Sequence, residues 1–438
     1  MSDHRYVTQQ TSFDFMSEQN CVRNLEKIDF APRREAGLSR LQSFVPVAGA
    51  AYARLRNFDY GPENRSNISC LSPWIRHRAL LESEVIEATL CHQSPHKAEK
   101  FLQEVFWRGY FKGWLEHHPS VWVDYLDALN KLAVTLRDDS ALRGRYEQAI
   151  DGRTGIDGFD EWVRELYDTG YLHNHSRMWF ASIWIFTLQL PWQLGADLFF
   201  RHLIDGDPAS NTLSWRWVAG LHTVGKNYLA RPDNIAKYTN GRFNPQRLNT
   251  NADALYERDR PTRHALSDCN EPMISGRTGL LITLDDCCLD QALHAITAKT
   301  PEIKHDIQSI AHLIPGPDFA GKSVGDAQKS FTQGILRDAA GRMAEPISVR
   351  PTELKEVELE NVIKDWISDQ DLDCVVMPYA PVGPTRRAMK KIKQTLQETN
   401  TELIQLKRPY DRLVWPHATK GFFGLKKKIP DLLPEIVT

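Results

Sequence analysis

Residues 168–220 bring together side chains that can hold a flat, charged ligand. An Asp-Gly-Asp motif at 205–207 directly follows the apolar run 198–204, so two carboxylates stand at the end of a segment that faces a core. Such carboxylates need cationic or N–H partners, because an unpaired buried charge is very costly. Arg177 is a candidate partner for Asp205. The spacing therefore predicts a buried charged site.

Asn211 and Trp215 extend this site by the helical period. Asn211 follows Asp207 by four residues and Trp215 follows by four more, so a carboxylate, an amide and an indole share one helix face. Asp207 alone is better explained as an N-cap ahead of Pro208. The full set of one Arg, two Asp, one Asn and two Trp favours a ligand site.

Tryptophan is concentrated in the same region. Nine of the twelve tryptophans lie between Trp107 and Trp217. Each indole N–H needs a partner when buried, so tryptophan is a costly way to fill a core. This concentration indicates stacking on flat ligands or redox use of the rings. The alternative is a tryptophan-rich helical core and nothing more.

Composition limits the function classes. The chain has 438 residues with 42% hydrophobic and 25% charged residues, as ordinary globular proteins have. The formal net charge is −2, so any binding of DNA must come from a local patch. The apolar runs are too short to span a bilayer and the first residues lack a secretory signal, so we expect a cytoplasmic protein with no membrane partner.

Several cofactor signatures are missing from the sequence. Seven scattered cysteines without a CxxC pair argue against a disulfide framework, a zinc site and an iron–sulfur cluster. The chain contains neither a GxGxxG after a predicted strand nor a GxxxxGK[ST]. Neither a Rossmann fingerprint nor a P-loop therefore explains nucleotide binding, and no metal is expected.

The apolar pattern divides the chain into a helical part and an α/β part. We predict an extension at 1–35, an all-α domain at 36–245, a polar linker at 246–275 and an α/β domain with a parallel sheet at 276–438. Helical spacing marks the segments 36–55, 74–90, 96–118, 122–136, 158–167, 174–190 and 194–203. Strands are predicted at 279–284, 374–380 and 403–406, and helices at 288–298, 324–343, 354–367 and 385–399.

Six blocks of the helical part, in the same order, resemble the cryptochrome/photolyase family and its FAD-binding helical domain. They are YARLRNF (52–58), SCLSPWIR (69–76), FLQEVFWRGYF (101–111), GRTGIDGFDEWVREL (152–166), TGYLHNHSRMWFAS (169–182) and LIDGDPASNTLSWRW (203–217). They are spread over residues 52–217, and together they are a much stronger signal than any single block. The resemblance implies an FAD-binding, light-driven protein.

The resemblance implies a role in FAD binding for nine residues. Tyr52, Ser69, Leu71 and Ser72 would cradle the phosphates, with Arg108 near the pyrophosphate. Arg177 and Asp205 would form an ion pair over the flavin ring, Asp207 would meet the ribose and ring edge, and Asn211 would sit at flavin N5. For the four loop residues, ordinary capping and packing is the alternative.

The resemblance also implies a pocket for a damaged base and an electron relay. Glu104, Trp107, Asn174, Met178 and Trp217 fall on the family's pocket for a flipped-out pyrimidine dimer, and Trp215 and Trp192 on its first two relay positions. Relatives that repair the (6-4) lesion place paired histidines near the position of Asn174. Here His173 and His175 flank that asparagine instead, which favours cyclobutane dimers over (6-4) lesions. A helix-terminal role for the two histidines is equally open.

Three departures from the family stand out. Phe101 replaces a tryptophan often found near the adenine. No tryptophan occupies the third relay position, so Tyr146, Trp179 or Trp184 would have to serve. The segment 220–243 departs from the family's DNA-facing block, where four basic side chains either bind phosphates or form a solvated face: Lys226, Arg231, Lys237 and Arg242.

The α/β part is similar to the family's antenna domain, although it follows the helical part instead of preceding it. Residues 374–423 resemble that domain's strand, Y-x-P-x-G-x-x-R turn, helix, strand and YD-x-LV-x-P loop, and 279–296 resemble its first strand and helix. We therefore predict a circular permutation. The resemblance leaves open whether an antenna chromophore, folate or deazaflavin, binds there.

Three functions compete at this point. The first is blue-light-dependent repair of cyclobutane pyrimidine dimers in UV-damaged DNA by electron transfer from reduced FAD, the reaction of deoxyribodipyrimidine photolyase. The second is a cryptochrome-like blue-light photoreceptor that signals through flavin photoreduction to an unknown protein partner. The third is a module that holds DNA or flavin without turnover. The complete pocket set favours repair, since a sensor need not keep it.

Overall fold

An array of helices precedes a parallel β-sheet along the chain. The computed structural model describes residues 28–266, 274–290 and 306–437. Within these ranges no helix has the length and apolar character that a membrane crossing requires. The expected fold class, an all-α part followed by an α/β part, is confirmed.

The helical part begins at Arg34. Its helices are α1 (Arg34–Phe44), α2 (Ala50–Leu55), α3 (Ser72–Arg76), α4 (Glu82–His92), α5 (Glu99–His117), α6 (Ser120–Asp138), α7 (Ser140–Ile150), α8 (Phe159–Thr169), α9 (Asn174–Ser182), α10 (Trp192–His202), α11 (Pro208–Val218) and α12 (Pro232–Tyr238). Helix α7 was not predicted, because its polar sequence carries few apolar residues at helical spacing. Its N-cap Asp139 accepts hydrogen bonds from the backbone N–H groups of Ala141 and Leu142, and this capping fixes where the helix begins.

Tryptophan and phenylalanine fill the core of the helical part. Trp162, Trp179, Trp184 and Phe180 are all fully buried and belong to one apolar cluster. The prediction that α9 runs to residue 190 is wrong, because the helix widens into a π-helical turn at Ile183–Thr187. Such turns often occur at functional sites. Here the turn carries Trp184.

The sheet contains five parallel strands. They are β1 (Thr278–Ile282), β2 (Ile307–Ile314), β5 (Thr352–Lys355), β6 (Cys374–Pro378) and β7 (Glu402–Leu406), in the order β5-β2-β1-β6-β7. A separate hairpin pairs β3 (Asp318–Phe319) with β4 (Lys322–Ser323). The chain winds in one direction from β1 to β5 and in the other from β6 to β7. The winding therefore reverses between β1 and β6, where open α/β sheets usually bind their ligands.

Helices cover both faces of the sheet. They are α13 (Asp326–Ala344), α14 (Leu359–Gln370) and α15 (Pro384–Glu398), and three further helices follow the last strand: α16 (Pro409–Val414), α17 (Phe422–Lys426) and α18 (Ile429–Val437). Strands β2 and β5 were missed. The helix predicted at 354–367 is corrected to a strand followed by α14, and most of the helix predicted at 288–298 lies outside the described residues.

The two parts pack through a shared core. Side chains of the sheet such as Leu280 and Ile310 join the same apolar cluster as Phe44 and Trp74 of the helical part. Glycine permits a close approach between the two parts: a Cβ on Gly109 of α5 would lie 2.8 Å from the Tyr410 hydroxyl. The same approach recurs one turn later at Gly113, where a Cβ would lie 2.8 Å from the Cα of Trp415. The segment after β7 therefore lies directly on α5.

Candidate functional site

Arg177 and Asp205 form the predicted ion pair. Nη1 of Arg177 donates to Oδ1 of Asp205 at 3.0 Å, and Nη2 donates to Oδ2 at 2.9 Å. The Asp205 side chain is 3% exposed, whereas that of Arg177 is 24% exposed. Because the geometry is bidentate, both groups are fixed in direction as well as in charge.

The side chain of Asn211 offers a hydrogen-bond acceptor on a helix next to that of Arg177. It lies on α11, which packs against α9, the helix of Arg177. Its Nδ2 donates to the backbone carbonyl of Ala196 at 2.8 Å. The amide nitrogen is thereby engaged, so the side-chain oxygen is the atom that can accept a hydrogen bond from a ligand.

Local capping sets the start of α9. Gly170 ends α8 in the left-handed conformation, with a φ of 62°, and the chain turns into His173. Nδ1 of His173 accepts from the N–H of His175, so Nε2 carries the proton and donates to the carbonyl of Arg56 at 3.1 Å. Burial lowers the pKa of His173 to about 4. The helix-terminal interpretation of His173 is therefore confirmed.

Asp207 is the N-cap of α11. Its Oδ1 accepts from the backbone N–H groups of Ala209 and Ser210, as the capping interpretation predicted. Burial alone would raise the pKa of Asp207, but Arg108 and Arg76 outweigh burial and hold the pKa below its usual range. The carboxylate is therefore charged and fixed.

Arg108 is committed to protein oxygens. Its Nη1 donates to Oδ2 of Asp207 at 3.1 Å, its Nε to Glu82 at 3.1 Å and its Nη2 to the carbonyl of Arg76 at 3.0 Å. These contacts favour a structural role for Arg108, which orients Asp207. The role near the pyrophosphate finds no support in them.

The serine loop lies against the ion pair. The hydroxyl of Ser72, at the start of α3, donates to Oδ2 of Asp205. Ser69 stays partly exposed and Leu71 is buried. Tyr52 is also buried, with its ring edge-on to Phe101 at a centroid distance of 5.4 Å. The structure thus brings Ser72 to Asp205, and places Tyr52 against the phenylalanine that replaces the family's tryptophan.

The five residues of the predicted pocket for a damaged base all keep exposed surface. Asn174, the first residue of α9, is exposed, and Glu104, Trp107, Met178 and Trp217 are partly exposed. Glu104 is ion-paired with Arg56. Burial raises the pKa of Glu104, and Arg56 counters only part of this rise. Trp217 stacks on Tyr228 with centroids 5.8 Å apart.

Trp107 has a partner that the sequence did not indicate. Its ring lies parallel to that of Phe422 in α17, with centroids 3.8 Å apart and an interplanar angle of 12°. Phe422 is 4% exposed, so the exposed surface of this aromatic pair belongs to Trp107. One face of Trp107 is therefore backed by the segment that follows the sheet.

The aromatic contacts of Trp215 lead toward Trp184. The two rings meet edge-to-face at 6.2 Å, and Trp184 meets Tyr146 in the same way at 6.1 Å. The Tyr146 hydroxyl accepts from Nζ of Lys322 at 3.0 Å. Trp192 stacks on Tyr125 at 5.7 Å instead. Of the three candidates for the third relay position, Trp184 and Tyr146 lie on this contact chain.

The crevice between β1 and β6 is filled by the helical part. Arg78 donates to both carboxylate oxygens of Asp411 beside this edge, and Arg408 does the same to Asp286. The gap left nearby, among Lys112, Asp207, Asp285 and Val382, is too narrow for a water molecule. The carboxyl edge of the sheet is therefore occupied by buried ion pairs.

The basic residues of 220–243 are mostly engaged. Arg231 pairs with Asp233 at 2.8 Å and Arg242 with Asp59 at 3.0 Å. Lys237 lies over the ring of Tyr238 at 5.0 Å. These contacts weaken the hypothesis that this segment binds phosphates.

Part of the chain is similar to known proteins. Residues 101–253 match the family model described as the FAD binding domain of DNA photolyase. The chain is 31% identical over 198 residues to a deoxyribodipyrimidine photo-lyase of Agrobacterium fabrum. The aligned region covers 44% of this chain and 39% of that protein. A Thermus thermophilus protein of the same name is 31% identical over 190 residues, 43% of each chain. The match spans about two fifths of these relatives' length.

Two solved structures are each similar to 47% of this chain. A bacterial class III photolyase from Agrobacterium tumefaciens is 26% identical, with a TM-score of 0.36 over 47% of this chain and 42% of its own. A Synechocystis cryptochrome is 25% identical, with a TM-score of 0.40 over 47% and 43%.

The side chains present fit FAD. The oxygen of Asn211 can accept from a ring N–H, and the Arg177–Asp205 pair offers both charges to the ring's polar groups. The hydroxyl of Ser69 is a donor suited to phosphate oxygens, whereas the Ser72 hydroxyl already donates to Asp205. FAD is the cofactor of this domain.

Proposed function

Because the helical part of this chain belongs to the cryptochrome/photolyase family as its FAD-binding domain, we propose that the protein repairs cyclobutane pyrimidine dimers in DNA under blue light. Arg177, Asp205 and Asn211 would hold the FAD, which would supply the excited-state electron that splits the dimer, and the electron would return at the end. No net oxidation or reduction results. The protein is then a deoxyribodipyrimidine photolyase, and UV-damaged DNA is its substrate.

One contrast in exposure carries this proposal. Of the nine residues assigned to the cofactor, five are buried, namely Tyr52, Leu71, Asp205, Asp207 and Asn211, and four are partly exposed, namely Ser69, Ser72, Arg108 and Arg177. All five residues of the set for the damaged base keep exposed surface. A repair enzyme needs this arrangement, because its cofactor must be shielded from water while the damaged base enters from solution. A light sensor has no need of the second set.

The exposed set supplies what a flipped-out dimer requires. Trp107 and Trp217 offer aromatic surfaces, and base–aromatic stacking contributes about 1–3 kcal/mol per base. That gain offsets the cost of extruding the bases, which is only a few kcal/mol and is lowest at a lesion. Trp107 is held in place for this role by Phe422 behind it.

Glu104 and Asn174 recognise the polar edge of the base. The amide of Asn174 can both donate and accept, and the Glu104 carboxyl accepts when ionised. Because burial raises the pKa of Glu104, the carboxyl is also able to share a proton with a base that has gained negative charge. Arg56 holds that carboxyl in position.

Illumination of a defined substrate tests the proposal. Purified protein is reduced chemically, mixed with a thymine-dimer oligonucleotide and either exposed to blue light or kept dark. We expect dimers to disappear in the light only. If reduced protein that contains flavin leaves the dimers intact, the photoreceptor hypothesis replaces repair. If the protein carries no flavin at all, both fail.

A further inference from the structure

Residues 415–428, which we call the basic aromatic segment, join the predicted pocket for a damaged base to a positively charged surface. The segment runs WPHATKGFFGLKKK, with four lysines and no aspartate or glutamate among its fourteen residues. It includes α17 and lies on α5. A chain with a net charge of −2 has here a local concentration of positive charge.

Three buried side chains anchor the segment. Trp415, Phe422 and Leu425 are between 0% and 4% exposed. Phe422 stacks on Trp107 and meets Tyr110 edge-on at 5.7 Å. The segment is therefore held in fixed contact with one wall of the pocket.

Phe423 points the other way. It is 76% exposed, although it is next to the buried Phe422. A large aromatic side chain in water contributes nothing to the core, and an exposed aromatic ring among cations is the arrangement that nucleic-acid bases stack on.

Two of the four lysines of the segment are available to bind an anionic partner. Lys426 is paired with Glu99 at 3.3 Å and Lys428 with Asp431 at 3.5 Å. Lys420 and Lys427 are exposed, and within the described part of the chain neither has a carboxylate within 4.0 Å. These ammonium groups lie on the same short segment as Phe423, so phosphate and base contacts can form together.

We propose that the basic aromatic segment is a DNA-binding surface of this protein, with Lys420 and Lys427 on the phosphates and Phe423 stacked on an unpaired base beside the lesion. The inference rests on the proposed function, because the pocket next to Trp107 defines which DNA is bound. This surface comes after the sheet along the chain and is separate from the segment 220–243, where three of the four basic residues are engaged. The partner is DNA with locally unstacked bases, not an acidic protein.

DNA affinity, measured in the dark with the flavin-containing protein, tests this proposal. The probe is a fluorescent thymine-dimer oligonucleotide, titrated at several salt concentrations. The double variant Lys420→Gln/Lys427→Gln should bind about tenfold more weakly at low salt, and its salt slope should fall by about 1.4–1.8, since each lost phosphate contact removes about 0.7–0.9. Phe423→Ala should also weaken binding about tenfold, as the loss of one stacked base does.

The double variant Lys390→Gln/Lys393→Gln is the matched control. Both lysines are exposed on α15, so the change in charge is the same at a distant surface. If the two double variants bind DNA alike, or if Phe423→Ala binds like the wild type, the proposal is wrong. That result would leave light-dependent repair intact. A wild type that binds DNA through this segment but never repairs it would instead overturn the proposed function.

Discussion

Arg177 donates two hydrogen bonds to the buried Asp205 carboxylate, at 3.0 and 2.9 Å, while its own side chain stays 24% exposed. The same carboxylate also accepts a hydrogen bond from the hydroxyl of Ser72. Because we propose that this pair flanks the FAD site, we expect both stability and flavin binding to depend on this carboxylate.

Replacing Asp205 by Asn should lower both properties. The variant keeps the shape but leaves the Arg177 guanidinium without its counter-charge, and breaking a buried pair costs about 3–5 kcal/mol. We expect the urea midpoint and the flavin content to fall together. Asp233→Asn, which breaks the exposed pair with Arg231, is the control and should change neither. Unchanged flavin content in Asp205→Asn would contradict the assigned role.

Trp184 should matter more than Trp192 for light-driven reduction of the flavin. Trp215 is in ring contact with Trp184, which in turn contacts Tyr146 next to Lys322. We expect Trp184→Phe and Tyr146→Phe to slow photoreduction, followed by absorbance, more than Trp192→Phe does. Repair after chemical reduction should persist in all three variants. If Trp192→Phe slows photoreduction more than the other two variants do, the electron path runs through Trp192 instead.

The stability of the protein should fall as the pH drops below about 6.5. The folded pKa of His173 is about 4, whereas the unfolded value is about 6.5. Between these values the unfolded chain binds a proton that the folded chain does not, so the free energy of unfolding falls by about 1.4 kcal/mol per pH unit for this residue.

His173→Asn isolates this contribution. Asparagine is a good N-cap but does not titrate, so the variant should lose stability less steeply between pH 6.5 and 4.5. Urea titrations at each pH give the two slopes. His77 and His175, whose pKa values burial lowers to about 3 and about 4, keep part of the dependence in both proteins. Identical slopes would show that His173 is already charged in the fold.

The helical site was largely predictable because its signals are local. The spacing from Asp207 to Asn211 and Trp215 follows from one helix, and Asp207 was recognised as a cap because Pro208 follows it. Likewise, His173 stands where a helix begins. Periodicity and capping chemistry are read over a few residues, so they survive in a single sequence.

The contacts between distant segments were not predictable. Nothing near Trp107 indicates that Phe422, more than three hundred residues away, stacks on it. The family resemblance implied a role for Arg108 near the pyrophosphate, and its actual partners Glu82 and Asp207 could not be foreseen because they come from other elements. Strand β2 was missed because Gln308, Ser309 and His312 interrupt its apolar run. Its place inside the sheet comes from pairing with β1 on one side and β5 on the other.

The most direct test of the account separates flavin binding from repair at Glu104. Flavin content and the number of dimers repaired per flavin under blue light are measured for the wild type and for Glu104→Ala. We predict that the variant keeps its flavin and loses most of its repair. The reason is that Glu104 belongs to the residues assigned to the damaged base and not to those assigned to FAD. Equal loss of flavin and repair, or full repair by the variant, would contradict this division of the site.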